Sequence, residues 1–161
     1  MDHRRRDGMD IPARILANTR RSVQDRGWTG FYTPMPGQPA NYGYTVGFTH
    51  TFGFPEAIVT GLDLHTSNAV LATLAERLAA GERPAFHVAI DLDLSLPVVL
   101  RPVTRATTRR LLLQATAFYA GAEYEAVQVV WPDPDGRFPW EAGHRPAGSY
   151  QPLLFEGAPP N

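Results

Sequence analysis

The sequence predicts a single α+β domain: a mostly antiparallel sheet covered by two or three helices, in the order α-β-β-β-α-β-β-α-β. Strand-like segments rich in aromatic and β-branched residues follow one another across short Gly/Pro turns, the connection expected between antiparallel neighbours. Leu64, Val70, Leu71, Leu74 and Leu78 fall on one stripe at helical spacing, so at least one helix lies against that sheet. The chain has 161 residues, 43% hydrophobic and 19% charged, which suits one domain with its own core.

Taken in order, residues 1–9 read as a disordered tail, 10–156 as the domain and 157–161 as a second tail. The first helix is expected to start at Asp10 as N-cap with Pro12 in its first turn, to bury Ile11, Ile15, Leu16 and Val23, and to stop at Gly27. Trp28 to Thr33 reads as a strand and the proline-rich stretch 34–39 as a loop. Tyr42–Thr49 and Ala57–Gly61 are the next strands, joined by a turn at Gly53 and Pro55. The Leu64 helix takes Thr66 or Ser67 as its cap and Gly81 as its stop. Ala85–Leu92 and Pro97–Val103 are β-branched strands joined by an acidic turn at Asp91 and Asp93. A further helix, Thr107–Ala120, is capped by Thr107 or Thr108 and stopped by Gly121. Tyr124–Trp131 completes the sheet, and Pro132-Asp133-Pro134-Asp135-Gly136 is a strong turn signal.

Composition removes several chemistries. There is no cysteine, so disulfides, thiolate nucleophiles, zinc ribbons and iron–sulfur clusters are excluded, in keeping with a cytoplasmic location. All 15 basic residues are arginine; without lysine there is no Schiff base, no pyridoxal phosphate anchor and no Walker-A loop. No apolar run approaches the roughly 20 residues of a membrane helix. The basic start Met1-Asp2-His3-Arg4-Arg5-Arg6-Asp7 leads into no hydrophobic segment and is not read as a signal peptide. Residues 1–26 hold seven Arg against four Asp, and residues 121–161 hold six acids against two Arg. With a net charge of −1, that distribution argues against nucleic acid as the partner. Oligomeric state has no sequence signal.

Two segments stand apart from ordinary core filling. The first runs Tyr44-Thr45-Val46-Gly47 and then Pro55-Glu56 into an apolar strand ending Gly61-Leu62; the second is Gln128-x-Val130-Trp131-Pro132-Asp133 with Phe138-Pro139-Trp140. Together with Leu71-x-x-Leu74-Ala75, Pro97-Val98-Val99-Leu100-Arg101-Pro102-Val103, Phe118-Tyr119 and Gln151-Pro152-Leu153-Leu154, they resemble the bacterial domain-of-unknown-function 4262 family over about residues 10–155. The resemblance implies the fold and the Pro-Glu turn but no activity. One departure is Phe54, where the family often has histidine, so no role of that histidine carries over.

Read as chemistry, Glu56 is the leading acid–base candidate, a carboxylate among Phe52, Phe54 and Ile58 whose pKa burial would raise. His50 or His87 is its expected partner, Tyr44 a hydrogen-bond donor, and Arg101 the group that orients an anion. Tyr42, Phe54 and Trp131 would line the binding site. The competing reading makes Glu56 structural, either in a buried ion pair with Arg101 or as an acceptor for neighbouring backbone amides. Trp131 equally suits core packing. No two histidines have the local spacing of a known metal site, and neither a metal nor an organic cofactor is expected. Asp133-x-Asp135-Gly136 lacks the later ligands of a calcium loop and reads as a turn. Gly43-x-x-x-Gly47 leads to no helix of a phosphate loop and reads instead as close backbone approach. No serine sits in a Gly-x-Ser-x-Gly elbow. The function expected is a small-molecule-binding enzyme with cofactor-free acid–base chemistry in specialised metabolism. The alternative is a non-enzymatic protein-interaction module of immunity or regulatory type.

Overall fold

The structure, a computed structural model, describes residues 3–145 and 150–155, with side chains described from Ile11 onward. The strands are β1 (Thr29–Pro34), β2 (Asn41–Val46), β3 (Glu56–Thr60), β4 (Ala89–Ile90), β5 (Val98–Val103) and β6 (Ala126–Val130). The helices are α1 (His3–Arg26), α2 (Phe48–Phe52), α3 (Leu64–Ala79), α4 (Arg105–Leu111) and α5 (Leu113–Phe118). One sheet runs β1-β2-β3-β6-β5-β4. All neighbours are antiparallel except β3 and β6, so the α+β expectation holds with one parallel pair at the centre. That pair arises because the chain returns through α4 and α5 before inserting β6 between β3 and β5.

Alternation along the strands divides the core. Ala57, Val59, Leu100, Val127 and Val129 pack with Leu71, Leu74 and Leu78 of α3. Ile58, Val103, Ala126 and the β2 side chains Tyr42, Tyr44 and Val46 pack with Val23, Leu111, Leu112 and Ala115 of the other helical layer. Covered on both sides, β3 and β6 are buried at every position.

Several boundaries differ from expectation for local physical reasons. Helix α1 runs through Asp10 and carries Pro12 in its interior. The strand expected over 42–49 stops at Val46. Gly47 turns the chain at φ 115°, Phe48–Phe52 form the short α2, and Gly53 closes it at φ 63°. A five-residue helix with two phenylalanines has no helical period to read. Asp63, not Thr66 or Ser67, caps α3 by accepting the Thr66 N–H at 2.7 Å.

The strand expected over 85–92 shrinks to Ala89–Ile90, and His87 sits before it at φ 65°. The helix expected over 107–120 is capped earlier, by Thr104, and is broken at Leu112. Two tyrosines of β2 and one just ahead of β6 fasten that break. The Tyr42 hydroxyl donates to the Leu111 carbonyl at 2.7 Å, Tyr124 donates to the Leu112 carbonyl at 3.2 Å, and Tyr44 accepts the Gln114 N–H at 3.0 Å. Buried hydroxyls need such partners, which is why these rings can occupy a core. Among the described residues no helix is long and apolar enough to cross a membrane.

Candidate functional site: a sealed carboxylate beside a charged cleft

Glu56 opens β3 with no solvent exposure, and protein donors surround its carboxylate. Oε1 accepts from Thr45 Oγ1 at 2.7 Å and from the Phe48 N–H at 3.1 Å. Oε2 accepts from the Gly47 and Thr49 N–H groups at 3.3 and 3.1 Å, and from the Tyr119 hydroxyl. A carboxylate offers about four lone-pair directions, so these five donors leave none for a ligand. Local sequence explains the convergence. Gly47 at positive φ aims three successive amides inward, and a Cβ there would meet the Gly27 carbonyl oxygen at 2.7 Å. Thr45 also accepts the Ala57 N–H at 3.0 Å, so its hydroxyl continues the β2–β3 contact where the ladder ends.

Desolvation pushes the Glu56 pKa up, and the bonds from Tyr119, Thr45 and the backbone amides pull against it. Burial likewise raises Tyr119, reinforced by the adjacent carboxylate. Of the two structural readings, acceptance from neighbouring amides is the one observed. The ion pair with Arg101 is not formed: the Arg101 guanidinium lies 4.0 Å from the Phe155 ring centroid and 5.3 Å from that of Trp140.

The other candidates disperse. His50 is exposed on α2 with its ring against Phe118, and its backbone N–H reaches the Tyr119 hydroxyl at 3.2 Å. His87 lies outside β5, its N–H on the Leu100 carbonyl, with β5 and β6 both separating it from the strand of Glu56. The Tyr44 hydroxyl serves the helix break. Phe54 is buried edge-on to Phe86, and Trp131 packs against the α3-side core while its Nε1 donates to the Thr60 carbonyl at 2.9 Å. Tyr42 alone of the candidates lines one of the described cavities, an apolar groove of about 260 Å³ shared with Tyr32, Leu62 and Ser67.

Sequence reasoning missed Tyr119 as the partner of Glu56. The Phe118-Tyr119 pair was visible, but the residues are 63 apart and no local pattern joins them.

Beside Glu56, two depressions of about 240 and 340 Å³ share Arg105, Glu123 and Tyr124 and form one cleft between α4–α5 and the α2–β3 turn. Arg109, Thr116, Thr49, Pro55 and Glu125 complete its lining. Arg105 and Glu123 meet at 3.0 Å with side chains 62% and 64% exposed, a rim pair that a ligand can open at little cost. The Tyr124 ring lies tilted by 33° against Tyr119 with centroids 4.9 Å apart, so the cleft wall and the sealed carboxylate are one packed unit. Among the described residues no three His, Asp or Glu side chains converge to hold a metal ion.

Fold and site together define a single α+β domain on a mixed six-stranded sheet, with a donor-saturated carboxylate at its centre. Residues 22–145 match the family described as Domain of unknown function (DUF4262), and the chain belongs to that family. No curated protein and no solved structure matches the chain.

Proposed function

We propose that this protein binds a small charged molecule in the cleft formed by Arg105, Arg109, Glu123, Glu125 and Tyr124. The observation that carries the reading is the pairing of both charge signs with a tyrosine in one concavity of small-molecule size. Two guanidiniums suit a carboxylate or phosphate, and two carboxylates beside them suit an ammonium, so a zwitterionic ligand that opens the Arg105–Glu123 pair fits best. Acid–base chemistry on such a ligand falls to Glu123 and Glu125, which line the cleft. Glu56 and Tyr119 act behind it as positioning residues that hold α2 and the Tyr124 wall. Amino acids, short peptides and phosphate monoesters should be titrated against the protein by heteronuclear NMR. Resonances of residues 105–125 should move with at least one class, and Arg105→Ala should weaken that binding about tenfold, the loss of one charge-assisted contact. Binding unchanged in Arg105→Ala, or shifts confined to other regions, would rule the cleft out. The interaction-module alternative is favoured by a different feature, the seating of segment 150–155 across the sheet.

A further inference from the structure

Segment 150–155 crosses the sheet over β3, β6 and β5 without joining a strand ladder; side chains grip its backbone instead. Gln128, wholly buried in the middle of β6, donates from Nε2 to the Pro152 carbonyl and accepts the Leu154 N–H at Oε1, both at 2.9 Å. Thr60 donates to the same carbonyl at 2.7 Å. Gln151 reciprocates, its Oε1 accepting the Trp131 N–H at 3.1 Å and its Nε2 donating to the Trp131 carbonyl at 2.9 Å. Gly61, at φ 79°, leaves the space where the Tyr150 carbonyl passes; a Cβ would collide with it. Leu154 and Phe155 supply apolar anchors, the latter against Trp140 and under the Arg101 guanidinium.

A buried carboxamide and hydroxyl at the centre of a sheet are costly unless bonded. Here Gln128 also bonds Thr60, at 3.1 Å, and the rest of their bonding capacity described is spent on the backbone of Pro152 and Leu154.

We propose that this surface is a binding groove for an extended protein segment with a Gln-Pro-apolar-apolar-aromatic run, and that residues 150–155 fill it in cis. Backbone atoms read by Gln128 and Thr60 give affinity, and the anchor positions give sequence preference, as in other extended-peptide sites. A tethered segment competes at an effective concentration on the order of millimolar, so a second segment enters only when the first is weakened. This groove is on a different part of the sheet from the cleft, and neither proposal depends on the other.

The test uses a fluorescent peptide with the sequence of residues 148–156, titrated by anisotropy against the full chain and against the full chain carrying Gln151→Ala with Phe155→Ala. The peptide should bind the double variant at least tenfold more tightly than the wild type. Adding Thr60→Val, which keeps the shape and removes the hydroxyl that donates to Pro152 and accepts from Gln128, should cut that affinity severalfold, and adding Gln128→Ala should remove it. Binding to neither protein, or binding indifferent to Thr60 and Gln128, overturns the proposal. If the double variant is unfolded by circular dichroism, recovery of the folded spectrum on adding peptide supports the groove. Failure to recover makes the segment plain core and refutes it.

Discussion

Glu56 and Asp133 each accept three backbone amides, yet their surroundings drive them in opposite directions. Glu56 takes those of Gly47, Phe48 and Thr49; Asp133 takes those of Asp135, Arg137 and Arg145 at 2.9 Å each. The Asp133 carboxyl is held below its ordinary value, chiefly by the Arg145 amide. The Glu56 carboxyl is pushed above its own because burial outweighs every bond it receives. Both side chains are shut off from solvent, Asp133 at 2% exposure and Glu56 at none, but Asp133 lies within its own turn, where the amide bonds outweigh desolvation, whereas Glu56 opens a central strand, where desolvation outweighs the bonds. Amide count alone therefore does not set ionisation; its balance against desolvation does.

The linkage signs differ accordingly. A raised carboxyl contributes most below its unfolded value near 4.5, and the contribution is lost as pH rises through the folded value. A depressed carboxyl contributes above its unfolded value near 3.8, and the contribution is lost as pH falls through the folded value.

Breaking the Glu56 side of the pair should have the largest effect. Glu56→Gln puts an NH₂ where an oxygen now accepts, leaving buried donors facing a donor. The expected cost is roughly 3–5 kcal/mol, a fall in Tm of about 10 °C by calorimetry. A Tm within 2 °C of wild type would show that the carboxylate anchors nothing. It follows that loss of activity in this variant would not by itself identify a catalytic base.

Tyr119→Phe sharpens the comparison at intermediate cost, about 1–2 kcal/mol near neutral pH. It removes the largest bond favouring ionised Glu56, so the folded pKa should climb further. Urea stability should then fall further than in wild type as pH rises above about 4.5. A parallel pH profile would mean that the hydroxyl does not bear on the carboxylate.

The smallest effect should come from Asp133→Asn, which keeps one oxygen for the Asp135 and Arg137 amides and loses the one serving Arg145. Its urea midpoint should lie below wild type at pH 7, by less than in Glu56→Gln, and the gap should narrow below pH 4. A gap that widens in acid would contradict the depressed pKa.

The same contrast shows what a linear reading reaches. The Asp133 turn is legible in Pro132-Asp133-Pro134-Asp135-Gly136 because the carboxylate bonds amides two and four residues along, and Gly136 at φ 83° closes the turn. Glu56 is legible as a carboxylate in an apolar setting and as an acceptor for nearby amides, since Gly47–Thr49 are close in sequence. Its Tyr119 partner was not, and neither was the cleft, whose lining spans residues 49 to 125. The α2 helix escaped because five residues carry no period, and the break at Leu112 because tyrosines of the distant strand β2 stabilise it.

Resemblance of motifs along the chain gave the family; local pattern alone determined the order of the main elements, the α3 stripe, the exclusion of cysteine and lysine chemistry and the Asp133 turn. These rest on periodicity, turn preference and composition, which operate within a few residues. Tertiary structure decided that β6 inserts parallel to β3, that Arg101 meets aromatic rings instead of Glu56, and that Gln128 and Thr60 read the backbone of segment 150–155. Those outcomes depend on which buried polar groups find one another once the chain is packed, and the cost of leaving one unpaired is paid only in three dimensions.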